Sequence, residues 1–92
     1  MTQIAIHLVV TDPDQAATWY TKALGARETN RITLPGGRTL TVDLLLGDTV
    51  LAVAGEMPAL GMRSPATLGG TSAALHVPVP DADAAWARAL EA

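Results

Sequence analysis

The sequence predicts an α+β fold built from βαβββ modules, the first complete and the second represented only by its opening strand and helix. Three observations predict it. Residues 4–10 alternate in hydrophobicity with period two, a helix-start signal and three glycine-punctuated strand candidates follow, and the opening pattern then begins again near residue 74.

In residues 4–10, Ile4, Ile6, Leu8 and Val10 share one side of a strand, and Ala5, His7 and Val9 share the other. Asp12, Pro13 and Gln15 then supply an N-cap, a first-turn proline and a capping-box partner, so a helix is expected over 13–24, with Gly25 as its stop. Strands are expected at about 30–34, 39–46 and 49–54. Gly36-Gly37 and Gly47-Asp48 stand at the turns between them. The spacings place Leu8, Val10, Ala17, Tyr20, Leu24, Leu44, Leu51 and Val53 in a core between helix and sheet. Residues 1–56 thus form a first module, 57–71 a Pro- and Gly-rich linker or lid, and 72–92 the start of a second module. In that start, His76, Val79, Asp81, Asp83 and Ala85 repeat His7, Val10, Asp12, Asp14 and Ala16 at one constant offset without a gap.

Composition narrows the function. Ninety-two residues leave no room for separate cofactor and substrate lobes. Hydrophobic residues reach 49% and charged residues 16%, against a typical charged share of about 25%, which excludes a disordered chain. Much of the apolar share is alanine and aromatics are 3%, so each buried residue removes little area from water. A chain this short buries only about 60% of its unfolded surface alone, and a homodimer is expected. The net charge of −3 comes from singly scattered groups with no basic stripe, which speaks against nucleic acid as a partner. The Met1-Thr2-Gln3 start carries no cationic leader region, and no apolar run approaches the ~18 residues of a membrane span. A cytoplasmic protein that does not contact membrane is therefore expected. The chain has no cysteine, so His, Asp and Glu must carry any metal.

Three strands each offer one such group on the face with the smaller residues: His7 in the first, Glu56 just past the fourth if its alternation continues, and His76 in the fifth. Two imidazoles and a carboxylate suit Ni, Co, Zn, Mn or Fe. Taken singly, a strand histidine is more often a hydrogen-bonded structural residue than a ligand, and Glu56 could be a solvated strand end. Asp12 and Asp81 are explained by capping, and Trp19 and Trp86 by core or interface packing. Thr39, Thr41 and Asp43 should share a face, where they either line a polar cup wall or meet water, with water favoured. Arg38 and Arg63 read as loop cations, with contact to an anionic substrate as the less favoured alternative.

The segments IHLVVTDPDQAATWYTKALGA, LLLGDTVLAVAGE and SPATLGGTSAALHVPVPDADAAWARAL resemble the vicinal oxygen chelate superfamily, which includes glyoxalase I, bleomycin-resistance proteins and extradiol dioxygenases. They are most similar to the branch typed by a small protein of phosphonate-utilisation operons. The resemblance implies a glyoxalase-like fold of paired βαβββ modules forming a cup around a metal. It places His7, Glu56 and His76 at three of four ligand positions, with the fourth ligand beyond Ala92 and with Glu56 or that fourth carboxylate as the proton-shuttling catalytic residue. It implies a metal-dependent lyase or isomerase acting on a small molecule with vicinal oxygens. The alternatives are a metal-free protein that sequesters a small molecule in the same cup and, ranked last, a dioxygenase.

Overall fold

A computed structural model describes residues 4–92; the Met1-Thr2-Gln3 start lies outside the described residues. Strand β1 (Ile6–Val10) leads into helix α1 (Pro13–Leu24), followed by β2 (Arg27–Thr33), β3 (Thr39–Leu46) and β4 (Thr49–Gly55). A 3-10 turn at Pro58–Leu60, a one-turn helix α2 (Pro65–Leu68) and helix α3 (Ala82–Glu91) complete the order. The four strands form one sheet in the order β1-β4-β3-β2. The β1–β4 pairing is parallel and the other two are antiparallel. This is the βαβββ unit, covered on one side by α1.

Helix α1 begins and ends where its caps require. The Asp12 carboxylate accepts the Gln15 amide at 3.1 Å, with Pro13 in the first turn. At the far end Gly25 adopts a left-handed backbone, φ 72°, which lets the amides of Gly25 and Ala26 reach back to the carbonyls of Thr21 and Tyr20. That reversal buries Ala26 and leaves Leu24 half-buried outside the core cluster, contrary to expectation. Asp12→Ala should lower stability by about 1 kcal/mol and Tm by about 5 °C, read by thermal unfolding.

Pairing register assigns the faces of the sheet. Leu8, Val53, Val42 and Arg31 form one cross-strand row, and Ile6, Leu51, Leu44 and Glu28 form another. Val42, Leu44 and Val53 are fully buried, with Ala17, Ala26 and Leu51 beside them and Leu8, Val10, Ala16, Tyr20 and Leu46 packed around the cluster. The rim of this helix-side face is polar. Arg31 reaches Asp14 in the first turn of α1 and bonds Glu28 at 2.7 Å. Thr39 was expected to face water, but its residue is only 9% exposed. Its hydroxyl donates to Asp14 at 2.9 Å and accepts from Arg31 at 3.2 Å. Thr41, set between Ala54 and Ile32, is buried as well. The helix brings Thr39 a partner far away in sequence, which strand alternation cannot show.

Thr39 foremost, and then Arg31, hold the Asp14 carboxyl below its ordinary range, and Arg31 does the same for Glu28. Both native pKa values are depressed, so the stability they confer is complete above the unfolded carboxyl value of about 4 and is lost as pH falls through the native values. Arg31→Met should therefore melt below the wild type at pH 7, and the two should converge at about pH 2.

The second-module start is half as expected. Asp81 caps α3 through the Ala84 amide with φ −137° and ψ 100°, nearly the values of Asp12 at φ −138° and ψ 99°. Helix α3 packs on α1, where the Trp19 indole donates to the Ala89 carbonyl at 3.3 Å and Arg88 donates to the Lys22 carbonyl at 2.7 Å. Residues 72–80, expected to hold the fifth strand, form no strand. A strand needs a hydrogen-bonded neighbour. None lies along this stretch among the described residues, and Pro78 and Pro80 remove two donors. Trp86 is 69% exposed and so is not a core residue.

Candidate functional site

The sheet face opposite α1 carries the row His7, Ala52, Asp43 and Asn30, and beside it the row Val9, Ala54, Thr41 and Ile32. His7 is therefore on the face with the smaller residues, as its strand period predicts. Its imidazole is exposed. Alongside β1, a cavity of about 700 Å³ opens between His7, Val9 and Tyr20 on one side and residues of the 63–75 stretch on the other. That stretch is not a featureless linker. Met57 and Met62 bridge across a tight turn, and Ser64 caps α2 by accepting the Thr67 amide at 3.2 Å. Past α2, Gly69, Gly70, Thr71, Ser72, Ala73 and Ala74 line the space with small side chains that leave it open. The sequence assigns Tyr20 a core role and favours a loop role for Arg63 over contact with an anionic substrate, yet both line the cavity. The available signal was the Ser64-Pro65 helix start, which marks where the loop folds back.

Glu56 follows the last residue of β4 and is half-buried. Its Oε2 accepts the Ser64 amide at 2.7 Å. The Thr67 hydroxyl first, then the Ser64 amide and hydroxyl, hold this carboxyl below the usual carboxylate range, and Arg63 adds a smaller electrostatic pull. Ser64 itself is 2% exposed. The carboxylate thus acts as a clasp that fixes α2, and with it Pro65 and Leu68, as one wall of the cavity. Glu56→Ala should loosen that wall. Limited proteolysis between residues 57 and 71 is expected to speed up several-fold at nearly unchanged Tm, because the core does not include this segment.

His76 is exposed in the irregular 72–80 stretch, one residue past the cavity lining, which ends at Leu75. Among the described residues no three His, Asp or Glu side chains form a group able to hold a metal ion. The donors do not converge as placed: Glu56 is engaged by the α2 turn, and His7 and His76 lie on separate segments. Burial raises the Tyr20 hydroxyl above its ordinary pKa, so it remains protonated at neutral pH. Its ring meets Trp19 edge-on, with centroids 5.1 Å apart.

Residues 2–92 match the family described as the Glyoxalase/Bleomycin resistance protein/Dioxygenase superfamily. The chain is 36% identical over 89 residues to an uncharacterized protein of Mycobacterium bovis, covering 94% of this chain and 59% of that protein. It is equally identical to an uncharacterized protein of Mycobacterium tuberculosis, covering 52% of it. The chain therefore spans a little over half the length of these relatives. Among solved structures it resembles the Arabidopsis thaliana gene product AT5G48480, with a TM-score of 0.79 and 27% identity over 99% of this chain and 72% of that one. TioX from Micromonospora sp. ML1 shares the fold, with a TM-score of 0.58 and 20% identity over the same shares of the two chains.

Proposed function

The chain belongs to the glyoxalase/bleomycin resistance protein/dioxygenase superfamily, and from that premise we propose that it is a binding module that sequesters a small molecule in the cavity beside β1. One observation carries this reading: the Glu56 carboxylate accepts the Ser64 amide and so anchors the α2 turn, where it shapes the wall of an open, mostly apolar cavity. Such a cavity, within the usual range of about 300–1,000 Å³ for small-ligand sites, is suited to a compound whose apolar body replaces water against Val9, Leu68 and Tyr20. His7 then acts as a polar group at the edge of the wall.

A metal-dependent lyase or isomerase requires the Glu56 carboxylate to meet both histidines, which lie on separate segments. Calorimetric titration with Ni, Co, Zn and Mn separates the two readings. The sequestering reading expects equal heats for wild type and His76→Ala. A heat present in the wild type and absent from both His76→Ala and Glu56→Gln would overturn it in favour of the ion site.

A further inference from the structure

We propose that the cavity selects a monoanionic compound, an apolar body bearing a single carboxylate or similar acid, with Arg63 as the residue that determines the charge preference. The inference rests on the sequestering reading and names the ligand class of that site.

The lining carries the argument. The chain has nine acidic residues against six basic ones, yet no Asp or Glu lines the cavity, and the ionisable groups that do are His7, Tyr20 and Arg63. An acidic chain has thus kept one of its larger concave surfaces free of carboxylates. The guanidinium of Arg63 has no hydrogen-bond or ion-pair partner among the described residues, which contrasts with Arg31, bonded to Asp14, Glu28 and Thr39. Glu56 is close enough to feel the charge of Arg63, but its Oε2 accepts the Ser64 amide and, among the described residues, it takes no bond from the Arg63 fork. A planar guanidinium with free donors matches a carboxylate bidentately. Position reinforces this, because Arg63 immediately precedes Ser64, the residue that Glu56 fixes. The clasp therefore holds the root of the arginine at the mouth of the cavity. One arginine beside a mostly apolar wall suits a single negative charge, whereas a phosphate dianion would find no second guanidinium or ammonium group in the lining.

Two fluorescent probes of nearly equal shape test the proposal: the anionic 8-anilino-1-naphthalenesulfonate and the uncharged N-phenyl-1-naphthylamine. Wild type is expected to bind the sulfonate about tenfold more tightly than the amine, as one charge-assisted contact allows. Arg63→Gln should weaken sulfonate binding about tenfold and so remove that preference, and in the wild type 1-naphthoate should displace the sulfonate at about tenfold lower concentration than 1-naphthamide. Equal affinities for the two probes, or a preference that survives Arg63→Gln, would overturn the charge selection while leaving the cavity reading intact. If neither probe binds, or if both bind equally well to a Gly70→Trp chain whose cavity is filled, the sequestering reading fails as well.

Discussion

Leu44→Ala is expected to lower the unfolding free energy by about 3 kcal/mol, within the range for leucine truncation in a packed core, and Tm by roughly 15 °C. Leu44 is fully buried at the centre of β3, paired with Leu51 on β4 and Glu28 on β2, with α1 above. Its neighbours Val42 and Val53 are also fully buried, so the structure has little loose material with which to refill the void. With few aromatics and an alanine-rich interior, leucines and valines supply most of the area removed from water. A domain stable by only about 5–15 kcal/mol would lose a large share of that margin. Equilibrium unfolding in urea would measure the change. A loss below about 1 kcal/mol would mean that the helix-side face is assigned wrongly, and the orientation of His7 on the opposite face would fall with it.

The second large effect concerns ligand capture. Gly70→Trp is expected to weaken binding of either naphthalene probe at least tenfold while leaving Tm within about 2 °C, as for surface substitutions. Gly70 lines the cavity, a Cβ built there meets no atom within 4 Å, and its backbone is outside the left-handed region. A side chain is therefore accepted at Gly70 without backbone strain, and an indole there is expected to take up space that a ligand would use. Gly69 is an unsuitable choice, since its φ of 77° resists any side chain. Fluorescence titration of the two chains under identical conditions checks the result. Unchanged affinity would place the binding surface elsewhere.

Elements with chemical punctuation were legible in the sequence. Helix α1 spans the expected 13–24 because Asp12, Pro13 and Gly25 specify both ends, and β3 spans the expected 39–46 because Gly37 and Gly47 bracket it. Strand β2 begins at Arg27, three residues before the expected start. Its sequence RETNRIT is exposed throughout, so it carries no apolar period, and only its pairing with β3 defines it. Val42 is fully buried although the spacings do not single it out, because Thr41 and Asp43 on either side make this strand read as half-polar. At the candidate site, the face of His7 followed from period two. The Glu56 clasp did not, because the Ser64 amide that engages it is backbone and is brought there by the fold of the 57–64 turn.

The parallel pairing of β1 with β4 also orders events in time. The β3–β4 hairpin closes over a two-residue turn, whereas Ile6 can meet Leu51 only after α1 and the entire three-stranded meander lie between them. Closing that long loop carries an entropic penalty that the hairpin avoids. Strand β1 is thus expected to join the sheet after the β3–β4 hairpin and, as an edge strand, to open before the central strands β3 and β4. Its amides should exchange with deuterium sooner than those of Val42 or Val53. Because β1 forms one bank of the cavity, a bound molecule that bridges it to the 63–75 stretch should slow that exchange, so protection of β1 would report occupancy without any label.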